Sequence, residues 1–464
     1  MTIHKLNDIV SIIVLSKTII VSPQTFYYFK EIIMEKKLKL FDLVSLGVGS
    51  VIGAGIFSTL GAGIALTGRS VALALVFGML FSSLQQLRIL FMSSMFSLKG
   101  GDYAQQALIL PPIFTGASAA MFLVRNVMFS IFGISITQYL VQLIPALAPY
   151  TKLVGIIVLL LFFFVAGKGA GALAAVQNVM TIMMYIALGV LVVFGVFKVQ
   201  AGGFAGEPYF YNGASSFLTA IAICSFACNG ASTIVNMSDI SENPKKNIPF
   251  AFALITVICA AIYYLLGYVS AGVLPYAEVA GKSLGVTAQQ VLPAPLYVFF
   301  IVGGAMGALT TTLLAGIAAI PAPISAAAED GWLPAIFKKK INVTIAMCII
   351  SVVPIIFDVS ITAIVAFLTV PGMIITAYTN FKAISIPKKF PEEWENCSLK
   401  MPYPVYVLLM VASIVASLFT AVYSLRSLST TAMIGNIVFT VVLFVYAWIR
   451  IKSGKVNILN ATAD

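Results

Sequence analysis

Two stretches of this chain carry residue types from which a binding site can be made out of backbone alone. In the first, Gly47, Gly49, Gly53 and Gly55 fall close together in an otherwise apolar run, GVGSVIGAGIF. Each glycine weakens a helix by about 1 kcal/mol relative to alanine, so the helix is predicted to come apart at Gly53-Ala54-Gly55. Unwinding frees N–H groups at the start of the following half-helix. Those groups and the positive end of its dipole attract a carboxylate. Close packing through small-xxx-small faces is the alternative. In the second stretch, Phe226-Ala227-Cys228-Asn229-Gly230-Ala231-Ser232 interrupts another apolar run with a turn-prone Asn-Gly pair. Carbonyls freed by the two breaks would face an ammonium group. Ile52, Phe226, Cys228 and Ala231 are predicted to line the pocket between them.

The elements that position these breaks follow from composition. Of the 464 residues, 60% are apolar and 9% charged. A soluble domain carries about 25% charged residues, and the aromatic content excludes disorder. A polytopic membrane protein remains, long enough for about twelve spans. Hydropathy places them at 41–66, 70–97, 113–144, 151–168, 173–198, 215–237, 248–274, 294–325, 342–357, 360–384, 403–425 and 430–450. The two breaks thus sit in the first and sixth spans. A glycine-interrupted span at the same place in two halves points to a midplane site in an inverted-repeat transporter.

Loop charge tests this count. With the chain starting inside at Met34, one side carries seventeen Lys and Arg and the other five, which satisfies the positive-inside rule and places both termini in the cytoplasm of a cell membrane. The net charge of +11 therefore belongs to loops and membrane surface, not to nucleic acid binding. Residues 1–33 differ from the rest. Their apolar run 9–22 is too short to span and is interrupted by Lys17, and no signal-peptidase site follows. Lys30-Glu31 can be encoded AAGGAG, a bacterial ribosome-binding sequence. The expectation is that Met34 is the start and 1–33 a leader; an interfacial N-terminal helix is the alternative.

Four local patterns, in order and at the right spans, resemble the amino acid–polyamine–organocation (APC) permeases. They are Ile52-Gly53-Ala54-Gly55-Ile56-Phe57, Gly100-Gly101-Asp102-Tyr103, Asn243-Pro244-Lys245-Lys246-Asn247-Ile248-Pro249 and Glu329-Asp330-Gly331-Trp332-Leu333-Pro334. Gln177-Asn178 also stands where that family enters its fifth helix. The resemblance implies an all-α fold of twelve transmembrane helices: a five-plus-five inverted repeat with two extra C-terminal helices. A transport core would cover 34–402, with repeats at about 40–200 and 213–386, and the last two helices and tail 403–464. It also implies transport of amino acids or related amines by alternating access. Carried over, Gly53, Ala54 and Gly55 would bind the substrate carboxylate, with Ile52 beside them. Phe226, Ala227, Cys228, Asn229 and Gly230 would bind the amine and gate the site. The chain departs from the family's pattern after the sixth-span glycine, where Ala231 and Ser232 stand for an aromatic and an acid. Met184 stands where many members carry a helix-five lysine.

The acids all fall in predicted loops or near span ends, Asp102 among them and Asp239 near the end of the sixth span. A carboxylate within the membrane is the usual partner of a cationic substrate or a proton. Its absence points to a zwitterion with a neutral side chain. The coupling ion is expected to be sodium or a proton; without the helix-five lysine a proton switch at that position is not expected, and sodium symport is one reading. Thr311 and Thr312, in the run Thr310–Thr312, offer hydroxyls for it, as in sodium-coupled relatives of this fold, or they back-bond to their own helix. Exchange without an ion is the other reading. Arg125 and Asn126 lie deep in the third span, a helix that faces the site in this fold; Arg125 would meet a substrate carboxylate or a loop acid, or else anchor to backbone carbonyls or snorkel to an interface. Arg88 is the other basic residue inside a span. The only histidine is His4, and the five cysteines have no metal-ligand spacing. The spans have no intramembrane acid and no Ser-x-x-Lys, which argues against an enzyme and against a cofactor or metal. A channel or nutrient receptor on a transporter fold is the remaining rival class. Oligomeric state cannot be read from the sequence.

Overall fold

The computed structural model describes residues 38–98, 100–167, 170–426 and 428–457. The N-terminal extension 1–33, Met34 and the loop lysines Lys99 and Lys168 lie outside the described residues. Nearly all described residues are helical or in turns, with one isolated bridge between Leu38 and Ser241.

The first expected span is two helices, α1 (Leu40–Val51) and α2 (Ala54–Thr67). The second is α3 (Val71–Gln85) and α4 (Leu87–Met95), and a short helix α5 (Gly101–Ile109) follows it. The third is α6 (Pro112–Val124) and α7 (Phe129–Leu143), joined by a 3-10 turn at Arg125–Met128. The fourth and fifth are α8 (Thr151–Gly167) and α9 (Ala170–Val196). The sixth is α10 (Gly213–Ala227) and a 3-10 segment, Ala231–Ile240. The seventh is α11 (Pro244–Gly272), with Pro244 pre-set for its first turn. The eighth runs from Ala294–Phe299 through a π turn, Phe300–Met306, into α12 (Gly307–Ala319) and α13 (Pro321–Glu329). Then follow α14 (Lys340–Ile356), α15 (Ile361–Ala383), α16 (Tyr403–Arg426) and α17 (Thr430–Lys452).

This is an all-α polytopic membrane protein. Among the described residues, eleven helices are long and apolar enough to cross a membrane. α14, where the ninth span is expected, has 17 residues. At 1.5 Å per residue it measures about 26 Å, a few Å short of a typical hydrocarbon core of about 30 Å. The exposed Lys338, Lys339 and Lys340 at its start can snorkel to the interface.

Apolar side chains face outward where a water-soluble protein would carry charge. On α8 these include Leu153, Ile157 and Phe164, and on α17 Ile434, Val438 and Val441. Inside, α1 packs against α11 and α12, and α10 against α2 and α3. The two broken spans are thus surrounded by other helices, which can satisfy the backbone groups that the breaks release.

Candidate functional site: two broken helices under a one-sided cavity

Both breaks predicted from glycine spacing are present. α1 stops at Val51, Ile52 and Gly53 leave helical geometry, and α2 starts at Ala54 with no side chain capping its N-terminus. α10 stops at Ala227, and Gly230 turns the chain with φ 137° into the 3-10 segment. The breaks touch one another. A Cβ on Gly55 would lie 2.3 Å from the Ala227 Cα, and one on Gly230 2.5 Å from the Ser50 carbonyl oxygen. The glycines therefore serve close packing as well as unwinding.

Neighbouring helices take up the freed carbonyls. The buried Tyr263 hydroxyl, from α11, lies 2.8 Å from the Val51 oxygen and 3.0 Å from the Ala227 oxygen, so one donor spans both breaks. Ser82, from α3, donates to the Cys228 carbonyl at 3.1 Å. Gln86 donates to the Asn229 side-chain oxygen at 3.2 Å. Thr312, from α12, donates to the Gly49 carbonyl at 2.8 Å and lies 3.4 Å from the Ile52 oxygen. A Cβ on Gly53 would meet Thr312 Oγ1 at 1.8 Å. Thr311 back-bonds to Ala308 at 2.9 Å and lies 3.5 Å from the Gly49 oxygen. The two sequence alternatives for these threonines thus divide: Thr311 bonds mainly within its own helix, and Thr312 reaches across to α1.

Beside the breaks is a cavity of about 280 Å³. Its lining runs from Ser50, Val51 and Gly55 through Phe226, Ala227, Asn229 and Gly230 to Thr312. Most of its lining lies in the halves of the spans on the side that carries Leu38, α5 and the exposed Lys245 and Lys246, and Gly55, Ile131, Phe132, Phe226 and Ala227 form its inner end at and just past the breaks. The opposite side is closed. Tyr139 donates to the Phe57 carbonyl at 3.3 Å, and the Phe57 ring packs on Tyr139 and Phe300. Further out, Tyr276 and Asn212 bind the Ala65 carbonyl, and Tyr211 stacks on Tyr276 with ring centroids 3.6 Å apart.

Several expected pocket residues lie elsewhere. Ile52, Cys228 and Ala231 are buried in packing and do not line the cavity. Cys228 Sγ points to the Leu75 carbonyl at 3.7 Å. Unwinding turns consecutive residues to different faces, so membership of the break does not give the facing. Gly53 contacts Thr312, and the Ala54 side chain lies outside what is described. Arg125 lines the cavity, whereas Asn126 is fully buried and donates to the carbonyls of Phe122 and Leu123 at 3.1 and 2.7 Å.

The placement of the acids needs one correction. Asp102, expected in a loop, lines the cavity. Gly100 and Gly101, at φ 88° and 53°, turn the chain after the second span, and α5 brings Asp102 under the breaks. Its Oδ1 accepts from Arg88 at 2.6 Å and its Oδ2 from Gln106 at 3.1 Å. Its backbone N–H donates to Asn236 at 3.1 Å. The charged side chains lining the cavity are Arg88, Asp102 and Arg125.

The next residue on α5 makes a second joint. The buried Tyr103 hydroxyl donates to Asp330 Oδ2 at 2.7 Å, linking the Gly-Gly-Asp-Tyr and Glu-Asp-Gly-Trp motifs. The C-terminal tail also docks there: Asn457 N–H donates to the Asp330 carbonyl at 2.9 Å, and Arg450 Nε to that of Gly331 at 3.1 Å. Burial raises the Asp330 carboxyl above its ordinary value, with the Tyr103 hydrogen bond acting against the shift and Glu329 with it. Burial and then the charge of Asp330 push the Tyr103 phenol well up. A raised carboxyl binds its proton more tightly in the folded state. Its contribution to stability is complete below the unfolded value, about pH 4, and is lost as pH rises through the folded value. Asp330→Asn is therefore expected to gain thermal stability over wild type as pH rises from about 4 toward neutrality. Melting curves of the two proteins, compared pH by pH, check the sign.

The chain matches a family described as amino acid permease over residues 38–447. It is 26% identical over 330 residues to cationic amino acid transporter 9, chloroplastic, of Arabidopsis thaliana, covering 66% of this chain and 57% of that protein. It is 25% identical over 336 residues to the same plant's cationic amino acid transporter 4, vacuolar, covering 66% and 54%. A methylthioribose transporter of Bacillus subtilis is 24% identical over 184 residues, 39% of each chain. The matches to the two plant proteins thus span a little over half of their length.

Proposed function

We propose that this chain, which belongs to the amino acid permease family, carries amino acids across its membrane by alternating access. The observation that supports this most is the cavity that ends at two broken helices and lies on one side of them, with the other side closed by Phe57, Tyr139 and Phe300. A carrier caught between its two accesses has this asymmetry. The cavity side also carries the lysine-rich loops, so the positive-inside rule makes it the cytoplasmic side. In this reading a ten-helix core over 34–402, two inverted repeats, rocks about the breaks, and the last two helices and tail, 403–464, brace it.

The α-carboxylate would sit at the uncapped N-terminus of α2, near Gly55, and the ammonium would face oxygen atoms between the breaks. Arg88 and Asp102 neutralise each other, which leaves Arg125 as the uncompensated charge on the cavity wall. A cationic side chain would be repelled there, so neutral zwitterions are the proposed substrates. The names of the plant relatives, cationic amino acid transporters, would suggest the opposite. Counterflow in liposomes with alanine, leucine and lysine decides. Accelerated exchange of the first two is expected. Exchange of lysine alone would overturn the charge argument, and no exchange of any amino acid would overturn carriage.

Sodium is the proposed coupling ion. The carbonyl oxygens of Gly49, Ile52 and Ala308 and the hydroxyls of Thr311 and Thr312 converge between α1 and α12. Five uncharged hard oxygens suit a monovalent cation. Replacing sodium by choline is expected to slow uptake by about tenfold, within the usual range of site-to-site coupling. Thr312→Val is expected to abolish that dependence. Uptake unchanged in choline would leave ion-independent exchange as the mode.

A further inference from the structure

Arg125 has a geometry that anchoring to the protein does not explain. It begins the 3-10 turn between α6 and α7, deep within the third span. Asn126 fixes that turn with its two hydrogen bonds to Phe122 and Leu123, so the backbone under Arg125 is held in place. The side chain lines the cavity, and its guanidinium lies 5.2 Å from the centroid of the Phe122 ring. It makes no hydrogen bond or ion pair among the described residues. Asp102, the acid on the cavity wall, is already engaged through both oxygens by Arg88 and Gln106.

A guanidinium stays charged at any physiological pH, and its planar fork matches a carboxylate. A charged residue inside a membrane is costly and faces a partner or a pathway. Here Asp102 acts on it through charge alone, without a direct contact, and is itself paired with Arg88. In the reading proposed above, the cavity also takes the α-carboxylate at the uncapped N-terminus of α2. It therefore offers two anion-attracting points, at α2 and at Arg125.

We infer that Arg125 is the site for a second carboxylate, that of an acidic side chain, so that the carrier takes acidic amino acids in addition to neutral ones. This rests on the cavity being the substrate site, as proposed above. With a net negative substrate bound, the charges of Arg88, Asp102, Arg125 and substrate sum to zero. With a lysine bound, they sum to two positive charges.

The test compares glutamate with glutamine, which has a similar shape and no side-chain charge, in liposome counterflow at pH 7. Wild type is expected to exchange both. In Arg125→Gln the glutamate-to-glutamine ratio should fall by about 30-fold or more, the scale for removing one partner of a desolvated charge pair. Arg125→Lys should recover part of the ratio. Should Arg125→Gln fail to fold, melting of wild type and Arg125→Lys with each amino acid gives the same comparison, glutamate stabilising wild type more than glutamine does. An unchanged ratio in Arg125→Gln, or equal loss of both substrates, overturns the inference. Wild type that exchanges alanine and glutamine but neither glutamate nor aspartate overturns it while leaving carriage intact. Wild type that exchanges no amino acid overturns the carrier reading itself.

Discussion

Gly230→Ala is expected to abolish uptake and to destabilise the protein by about 2–6 kcal/mol, the sum of backbone strain and overpacking. Two independent observations lead there. Gly230 has φ 137°, a conformation that an L side chain rarely adopts. Its added methyl would also sit 2.5 Å from the Ser50 carbonyl oxygen, 2.8 Å from its carbon and 3.1 Å from the Val51 nitrogen. These are backbone atoms of the first span and have no rotamer to move to. The substitution must push the two broken helices apart where they touch. Gly189→Ala is the matched control. A Cβ there meets nothing within 4 Å, and alanine is the better helix former, so it should keep full uptake and equal or higher stability. Melting in detergent and uptake in liposomes, measured on both variants, check the pair. Gly230→Ala with wild-type uptake would mean that the approach of the first and sixth spans is not needed for transport.

How far such a site can be read from sequence depends on which physical property carries it. The breaks were legible because glycine and Asn-Gly act on the local backbone, and the damage they do to a helix needs no tertiary context. The surrounding spans were legible because the bilayer demands long apolar helices. Facing was not legible. Ile52 and Cys228 belong to the breaks, as expected, yet their side chains pack away from the cavity. A helix fixes which residues share a face, and an unwound segment removes that rule.

Asp102 shows a second limit. Its residue type was plain, but a nine-residue helix that opens on a pair of glycines of positive φ is easily taken for loop. Only the fold carries its carboxylate under the first and sixth spans and beside Arg88. The Gly-Gly pair was the available signal, since a double glycine marks a sharp turn and hence a chain that doubles back. The motif residues Tyr103 and Asp330 are far apart in sequence, and nothing local announces that one donates to the other.

Tyr263 is the residue that sequence reasoning missed and on which the site depends. A phenol in the middle of an apolar span must bond something, and that is the only hint. Tyr264 and Tyr268 lie on the same helix and look equivalent to it in the sequence. The structure separates them: Tyr263 is fully buried and Tyr264 is 39% exposed.

Tyr263→Phe is therefore expected to lower uptake by about tenfold or more and stability by about 1–3 kcal/mol, the cost of leaving buried polar groups without their donor. The ring would remain, so packing is nearly conserved and the hydroxyl alone is tested. Its loss withdraws a donor from Val51 in the first break and from Ala227 in the sixth at once. In a carrier that rocks about these breaks, one hydroxyl shared by both would couple their movement, and freeing them would raise the barrier to concerted movement. A barrier higher by about 1.4 kcal/mol slows a step tenfold. Tyr264→Phe, on the exposed face, should change neither quantity. Substrate-induced melting shifts distinguish a lost site from a slowed cycle. If Tyr263→Phe still binds substrate and only turnover falls, the hydroxyl acts on the movement; if binding falls in proportion to uptake, it acts by shaping the site.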